Sequence, residues 1–407
     1  MKVSKSMTPK SNDRPVLRVA YVGPVDVPSS AANAQRMLGL AKALGLAGCE
    51  VVIGSAADNH EEAVAFASGT RIEYIRESAT NGNTRIRRIV RGLVAGDRTI
   101  RWLNRLDPEP DVVILYGTTF SYLVRLLRWT RRRQIPLVLD VVEWYDPRHL
   151  PGGVLGPYAI LNEIAMRYAK KAAGIIAISS FLADYYRRAG LPTVTVPPLF
   201  EPVASQPHAT MPWNDGGSAS LTIAYVGNPG KKDRRTLENL LSLPDALGSL
   251  RNAIRIRIVG VDRAQASAAV GRMPETLPAE VTFLGSMART DAMTEVARAD
   301  FTVLQRPDRR YTKAGFPTKI VESLILGTPP LANATSDLGK WLVDNENAII
   351  LVDDSIEALV EGVNRAWSSQ GTFDRSAIAT RAAKAFSPAS WSGVLTNLLK
   401  DSMKRGL

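Results

Sequence analysis

Ala314-Gly315-Phe316-Pro317-Thr318-Lys319-Ile320-Val321-Glu322-Ser323-Leu324-Ile325-Leu326-Gly327-Thr328-Pro329-Pro330 reads as a glycine turn, one short helix and the entry to a strand. Proline is tolerated in a first helical turn and glycine is favoured just past a last one, which brackets the helix between Pro317 and Gly327. Asp300-Phe301-Thr302-Val303-Leu304 before it has the apolar run of a buried strand, and Pro330-Leu331-Ala332 starts another. A loop and a helix N-terminus therefore follow the carboxyl end of a parallel strand, where open α/β sheets bind ligands. Open amides and the helix dipole favour an anion there, and Thr318 and Lys319 add a hydroxyl and a cation. Glu322, further along the helix, can accept hydrogen bonds from a sugar or ribose diol. The stretch predicts a phosphate-plus-hydroxyl site; a plain tight turn with a surface glutamate fits the local pattern equally well.

The chain has 407 residues, which predicts two domains, and 45% hydrophobic content is ample for two cores. One cysteine, Cys49, excludes an internal disulfide, and three histidines argue against a Cys/His metal site. No apolar run approaches the roughly 20 residues that span a bilayer. Met1 to Arg14 is polar, with no apolar core of a signal peptide, so a cytoplasmic protein is expected. The net charge of +12 lies mainly in the first 200 residues, with 27 Lys and Arg against 17 Asp and Glu. That suits an anionic membrane surface, an acidic substrate or nucleic acid.

Val16 to Gly23 reads as the first strand and Ala31 to Leu46 as a helix capped by Ser29 or Ser30, with Asn33 a second polar group near the first loop. No G-x-G-x-x-G follows the strand, which argues against NAD. From Thr84 to Leu106, Ile86, Ile89, Val90, Leu93 and Val94 share one helical face and arginines the other; Arg98, Arg101 and Arg105 continue the basic run. Arg125, Arg128 and Arg131 to Arg133 form a second cluster. Such helices can lie on anionic headgroups, or simply pack their apolar side on a sheet; nucleic acid ranks lower because no recognition motif accompanies the charge. Asp111 to Gly117 and Ile135 to Val142 are further strands. Asp140, Glu143 and Asp146 stand at the end of the second with Trp144 and Tyr145, a pairing of carboxylates and aromatic faces suited to carbohydrate. Glu143 or Asp140 is the candidate general base for an acceptor hydroxyl, although loop carboxylates paired with arginines have the same sequence.

Gly174 to Ile178 is a strand followed by a serine cap and a helix, and the Pro-, Ser- and Gly-rich Leu191 to Ser220 is a linker. Leu221 to Gly227 restarts the rhythm and runs into Asn228-Pro229-Gly230-Lys231-Lys232-Asp233, where glycines allow close backbone approach and lysines supply charge for phosphate. Strands follow at Ile254 to Gly260, Val281 to Gly285 and Asn347 to Val352. Arg306, at the end of the Asp300 to Leu304 strand, is placed to meet phosphate or sugar.

Gly315 to Asn333 resembles the donor-binding segment of retaining GT-B glycosyltransferases of the family-four type. The resemblance extends over nearly the whole chain and is strongest from Leu221 to Val352. It implies an α/β fold of GT-B architecture, two Rossmann-like domains with parallel sheets facing a central cleft. The domains are expected at residues 1–200 and 221–375, joined by a 201–220 linker, with 376–407 packing back on the first. The family's ribose-holding glutamate falls on Glu322; its first glutamate falls on Ala314, so half of that pair is missing. The resemblance further implies a donor site of Gly227, Asn228, Lys231, Lys232, Gly285, Arg306, Gly315, Phe316, Pro317, Thr318, Lys319 and Glu322. Lys232 and Lys319 would stabilise the diphosphate as it leaves. The implied activity is transfer of a sugar, with retention, from a UDP- or GDP-sugar to a hydroxyl of a glycan or lipid-linked glycan. Without an Asp-x-Asp motif no essential metal is expected, and no cofactor. A nucleotide-sugar epimerase of related fold and a non-catalytic nucleotide-sugar binder remain as alternatives.

Overall fold

The computed structural model describes residues 16–58, 64–67, 69–77, 95–200, 221–227, 233–271 and 277–406. The Thr84 to Val94 part of the first basic run, the linker residues 201–220, and Asn228, Lys231 and Lys232 lie outside them.

Two parallel sheets organise the chain. The first contains β1 (Arg18–Val22), β2 (Glu50–Ser55), β3 (Val64–Ala67), β4 (Thr70–Tyr74), β5 (Val112–Tyr116), β6 (Leu137–Val141), β7 (Gly174–Ala177) and β8 (Thr193–Thr195), in the order β3-β4-β2-β1-β5-β6-β7-β8. Among the described residues only the β3–β4 pair is antiparallel. The second contains β9 (Leu221–Val226), β10 (Ile254–Val259), β11 (Val281–Gly285), β12 (Phe301–Leu304), β13 (Pro330–Asn333) and β14 (Ile349–Leu351), in the order β11-β10-β9-β12-β13-β14. Central strands such as β6 and β12 are buried along their whole length because helices cover both faces, which is why they read as apolar runs broken only by Asp140 and Thr302.

The Ala32–Leu46 helix starts at Ala31 without a side-chain cap, so neither Ser29 nor Ser30 caps it; Asn33 instead accepts from the Ala34 amide at 2.9 Å. Ser179 does cap the Ser180–Arg187 helix. In the Phe120–Arg133 helix, Leu126, Leu127 and Trp129 are buried on the sheet. Arg125 and Arg133 pair with Asp97 and Glu109. Part of the second basic cluster is thus an ordinary packed helix with a solvated face. The last helix, Pro388–Gly406, puts Leu395, Leu398 and Leu399 into the same apolar cluster as Val19, Met37 and Ile114 of the first sheet's layer.

The sheets meet near their carboxyl edges. Ser179 Oγ, just beyond β7, donates to the Ala314 carbonyl at 2.8 Å, and the Ser180 amide donates to Asp337 at 2.8 Å. Arg310 reaches Glu163 at 2.6 Å and stacks over Trp144 at 4.8 Å. These contacts place the segment before Thr318 against the region that follows β6.

Candidate functional site

The quoted stretch folds as a short Arg310–Ala314 helix, a turn at Gly315 to Pro317, and the Thr318–Ile325 helix. Pro317 is the residue before the helix rather than within its first turn, and no side chain caps it. The Ile320 amide donates to the Pro317 carbonyl at 3.2 Å, and the Thr318 and Lys319 amides before it are left without an intrahelical acceptor at the carboxyl edge of the second sheet.

Lys319 lies across that edge. Its ammonium donates to Asp233 Oδ2 at 2.6 Å and to the Tyr225 hydroxyl at 2.9 Å, and an ammonium has three N–H bonds, so one remains. Arg306 Nε donates to Asp233 Oδ1 at 3.1 Å. Its amide donates to Asn333 Oδ1, whose own amide group donates back to the Arg306 carbonyl, which fixes the residue's backbone. Asp233 is buried and bridges both cations. Burial opposes its charge, but Lys319 and Arg306 more than offset this and hold its carboxyl below the usual range. Burial pushes the Lys319 ammonium down, against the pull of Asp233. Burial, reinforced by Asp233, pushes the Tyr225 phenol well up, so Tyr225 stays a neutral partner. Two cations and one carboxylate leave the cluster with a single surplus positive charge.

Glycines make room for it. A Cβ on Gly227 would lie 2.6 Å from Lys319 Cε, and Gly227 has φ +120°, a backbone state that L side chains rarely adopt. The Gly260 amide donates to the Gly285 carbonyl at 2.8 Å, tying the ends of β10 and β11 together beside Gly227. Glu322 is held by Arg289 at 2.8 Å, a partner that the sequence reading did not assign. Thr318 is half-buried at the helix start. Phe316 and Ala314 face inward, in the apolar cluster shared with Leu182 and Ile320, and Pro317 is buried too. From these three residues only backbone can reach a ligand, and a carboxylate at 314 would sit in apolar surroundings.

Across the cleft, Asp140 is withdrawn from the base role. It is fully buried at the end of β6; Arg36 holds it through Nη2 at 2.6 Å and Nε at 2.9 Å, and the Tyr21 hydroxyl donates at 2.6 Å. Arg36 also donates to the Val196 and Pro197 carbonyls, so this ion pair joins the first helix, β6 and the chain leaving the sheet. Asp146 is likewise structural: it caps the turn at Pro147–His149, and hydrogen bonds from Arg148 lower its carboxyl to about 2. Glu143 stays half-buried two residues beyond β6 and accepts from the Tyr145 hydroxyl. Among the described residues no group of carboxylates, histidines and cysteines could hold a metal ion.

Comparison with known proteins fits this geometry. A "Glycosyl transferase 4-like domain" matches residues 33–198, and "Glycosyl transferases group 1" matches residues 222–385. Among solved structures, the chain is similar to sucrose-phosphate synthase from Thermosynechococcus elongatus (15% identity, TM-score 0.65, covering 94% of this chain and 98% of that one). It is also similar to the catalytic domain of starch synthase IV from Arabidopsis thaliana bound to ADP and acarbose (9%, 0.71, 96% and 100%). A third is Anabaena HepE in complex with UDP-glucose (16%, 0.63, 94% and 99%). No curated protein matches the sequence.

Proposed function

Because the chain belongs to the GT-B glycosyltransferases of family-four type, we propose that it transfers a sugar, with retention, from a nucleoside-diphosphate sugar to a hydroxyl of a glycan or lipid-linked glycan. The observation that carries this is the Tyr225–Asp233–Arg306–Lys319 cluster under an uncapped helix N-terminus. As the sugar leaves, charge develops on the diphosphate. The remaining Lys319 N–H, the Arg306 guanidinium and the Thr318 and Lys319 amides are proposed to stabilise it without reorganising. Lys231 and Lys232 are proposed to add further charge for the diphosphate. Glu322, braced by Arg289, is proposed to hold the ribose diol. Glu143 is the carboxylate left at the facing edge to polarise the acceptor hydroxyl, and no essential metal or cofactor is proposed. The HepE complex with UDP-glucose supports a UDP-sugar as the first donor to try.

A membrane-proximal acceptor is proposed from a feature of the first domain. Helix Pro157–Tyr168 is amphipathic the wrong way round for a soluble surface: Ala159, Ala165 and Met166 are buried, while Tyr158, Ile160, Leu161 and Ile164 face out. Leu155, in the preceding turn, is 89% exposed. Arg167, Lys170 and Lys171, which follow in sequence, are exposed as well, and the helix's carboxylate, Glu163, is engaged by Arg310. An apolar ledge with a basic border suits peripheral contact with anionic lipid. No helix among the described residues is long and apolar enough to cross a membrane.

The test is a turnover assay with UDP- and GDP-sugars, with and without a glycan acceptor pool. Nucleoside diphosphate released only with acceptor supports transfer. Epimerised donor without acceptor, or binding without turnover, would replace it with one of the two alternatives.

A further inference from the structure

A charged cavity lies in the first domain, away from the Lys319 cluster. It has a volume of about 590 Å³, and its lining includes Tyr74, Arg76, Arg98, Arg101, Arg105 and Asp58. Arg98, Arg101 and Arg105 fall on one side of the Asp97–Leu103 helix and its extension, at spacings of three and four residues. Arg76 comes from the segment after β4 and lines the same cavity, although its backbone is held at φ +56°, a left-handed state that an arginine adopts only under constraint. Arg98 donates to the Arg76 carbonyl, which fixes that turn. Arg101 and Arg105 are exposed and make no ion pair among the described residues.

Four guanidiniums and one carboxylate give this cavity three surplus positive charges. Converging cations repel one another unless an anion bridges them, and a planar guanidinium fork matches phosphate oxygens in pairs. We propose that this cavity is an anion site for a phosphate-bearing ligand, either a soluble phosphate ester or the headgroup of a lipid. It goes beyond the donor reading and rests on none of its residues. Asp58 follows β2 and Arg76 follows β4, so the cavity opens off the same carboxyl edge as Glu143 beyond β6. Four strand positions separate β4 from β6 in the sheet, about 19 Å at about 4.8 Å per strand. A ligand that reached both would be extended, with its phosphate at one end and its hydroxyl at the other.

The experiment titrates the full chain with glycerol phosphate by calorimetry, and in parallel sediments it with vesicles of neutral lipid with and without phosphatidic acid. Saturable glycerol phosphate binding that weakens about tenfold or more in R101A/R105A identifies a soluble ester site. Binding confined to phosphatidic acid vesicles and lost in the same variant identifies a headgroup site. No binding of either probe, or binding unchanged in R101A/R105A, overturns the proposal. Both substituted residues are exposed, and a retained melting-temperature shift with UDP or GDP shows that the variant is folded. A K319M variant separates the two readings, since it is expected to lose the nucleotide shift and keep glycerol phosphate binding.

Discussion

Replacing Lys319 by methionine keeps most of the side chain's unbranched length and removes its charge, which separates the lysine's structural work from its ligand work. The ammonium is 2.6 Å from Asp233, a carboxylate with side-chain exposure of 4%. Breaking a buried pair by deleting one partner costs about 3–5 kcal/mol. Arg306 remains 3.1 Å from the other carboxylate oxygen, so the loss falls at the low end, about 3 kcal/mol. At about 2–4 °C per kcal/mol for a domain of this size, K319M should melt about 6–12 °C lower. Adding D233N removes the carboxylate that lost one of its two partners but also dissolves the Arg306 ion pair, so it should restore only part of that loss. Donor affinity behaves differently. A charge-assisted hydrogen bond to phosphate contributes about 1.5–3 kcal/mol, or roughly 10- to 150-fold in Kd, and neither K319M nor K319M/D233N can supply it. Calorimetric unfolding and nucleoside-diphosphate titration of all four proteins complete the cycle. If the double variant regains nucleotide affinity along with stability, Lys319 only braces Asp233, and the diphosphate site lies elsewhere.

The same cluster predicts a pH dependence. Burial lowers the Lys319 pKa, so the cation is lost as pH rises through a value below the usual lysine range, and nucleotide affinity should decline on the alkaline side. Asp233 holds that pKa up, so D233N should move the decline to lower pH; a decline at the same pH in both proteins would show that Lys319 is not the titrating group. Gly227→Ala places a Cβ against Lys319 Cε in a disfavoured backbone state, at a cost of about 1–3 kcal/mol, and should weaken nucleotide binding while leaving glycerol phosphate binding intact. Cys49 is 9% exposed and is hydrogen-bonded to Thr396 of the last helix. Native alkylation should be slow, and should accelerate in Leu399→Ala, which at about 2–5 kcal/mol loosens that helix from the sheet. On the exposed ledge, Leu155→Asp with Ile160→Asp should abolish binding to phosphatidylglycerol vesicles with a melting temperature within a few degrees of wild type; unchanged binding would dismiss the ledge as the contact.

The strands and the Thr318–Ile325 helix were legible because each is set by local rules. A strand buried on both faces must be apolar at every position, as β6 and β12 nearly are, and a helix that begins after Pro317 and stops at Gly327 announces both ends. Pairing between distant charges has no such signature. Asp140 and Glu143 look alike in sequence, but Arg36, 104 residues earlier, fully engages one and leaves the other near the cleft. Asp233 looks like a loop aspartate until Lys319 and Arg306 close around it. The helix at Pro157–Tyr168 hid for a different reason: its apolar periodicity is that of any packed helix, and only the small residues Ala159 and Ala165 on the other side mark which face is turned inward. Periodicity fixes that a face exists, while its orientation depends on what the rest of the chain can fill. In this protein the exposed apolar face and the Arg101 cavity are both departures from what packing alone would select. Both occur in the domain opposite the Lys319 cluster, where the proposed transfer would meet its second substrate.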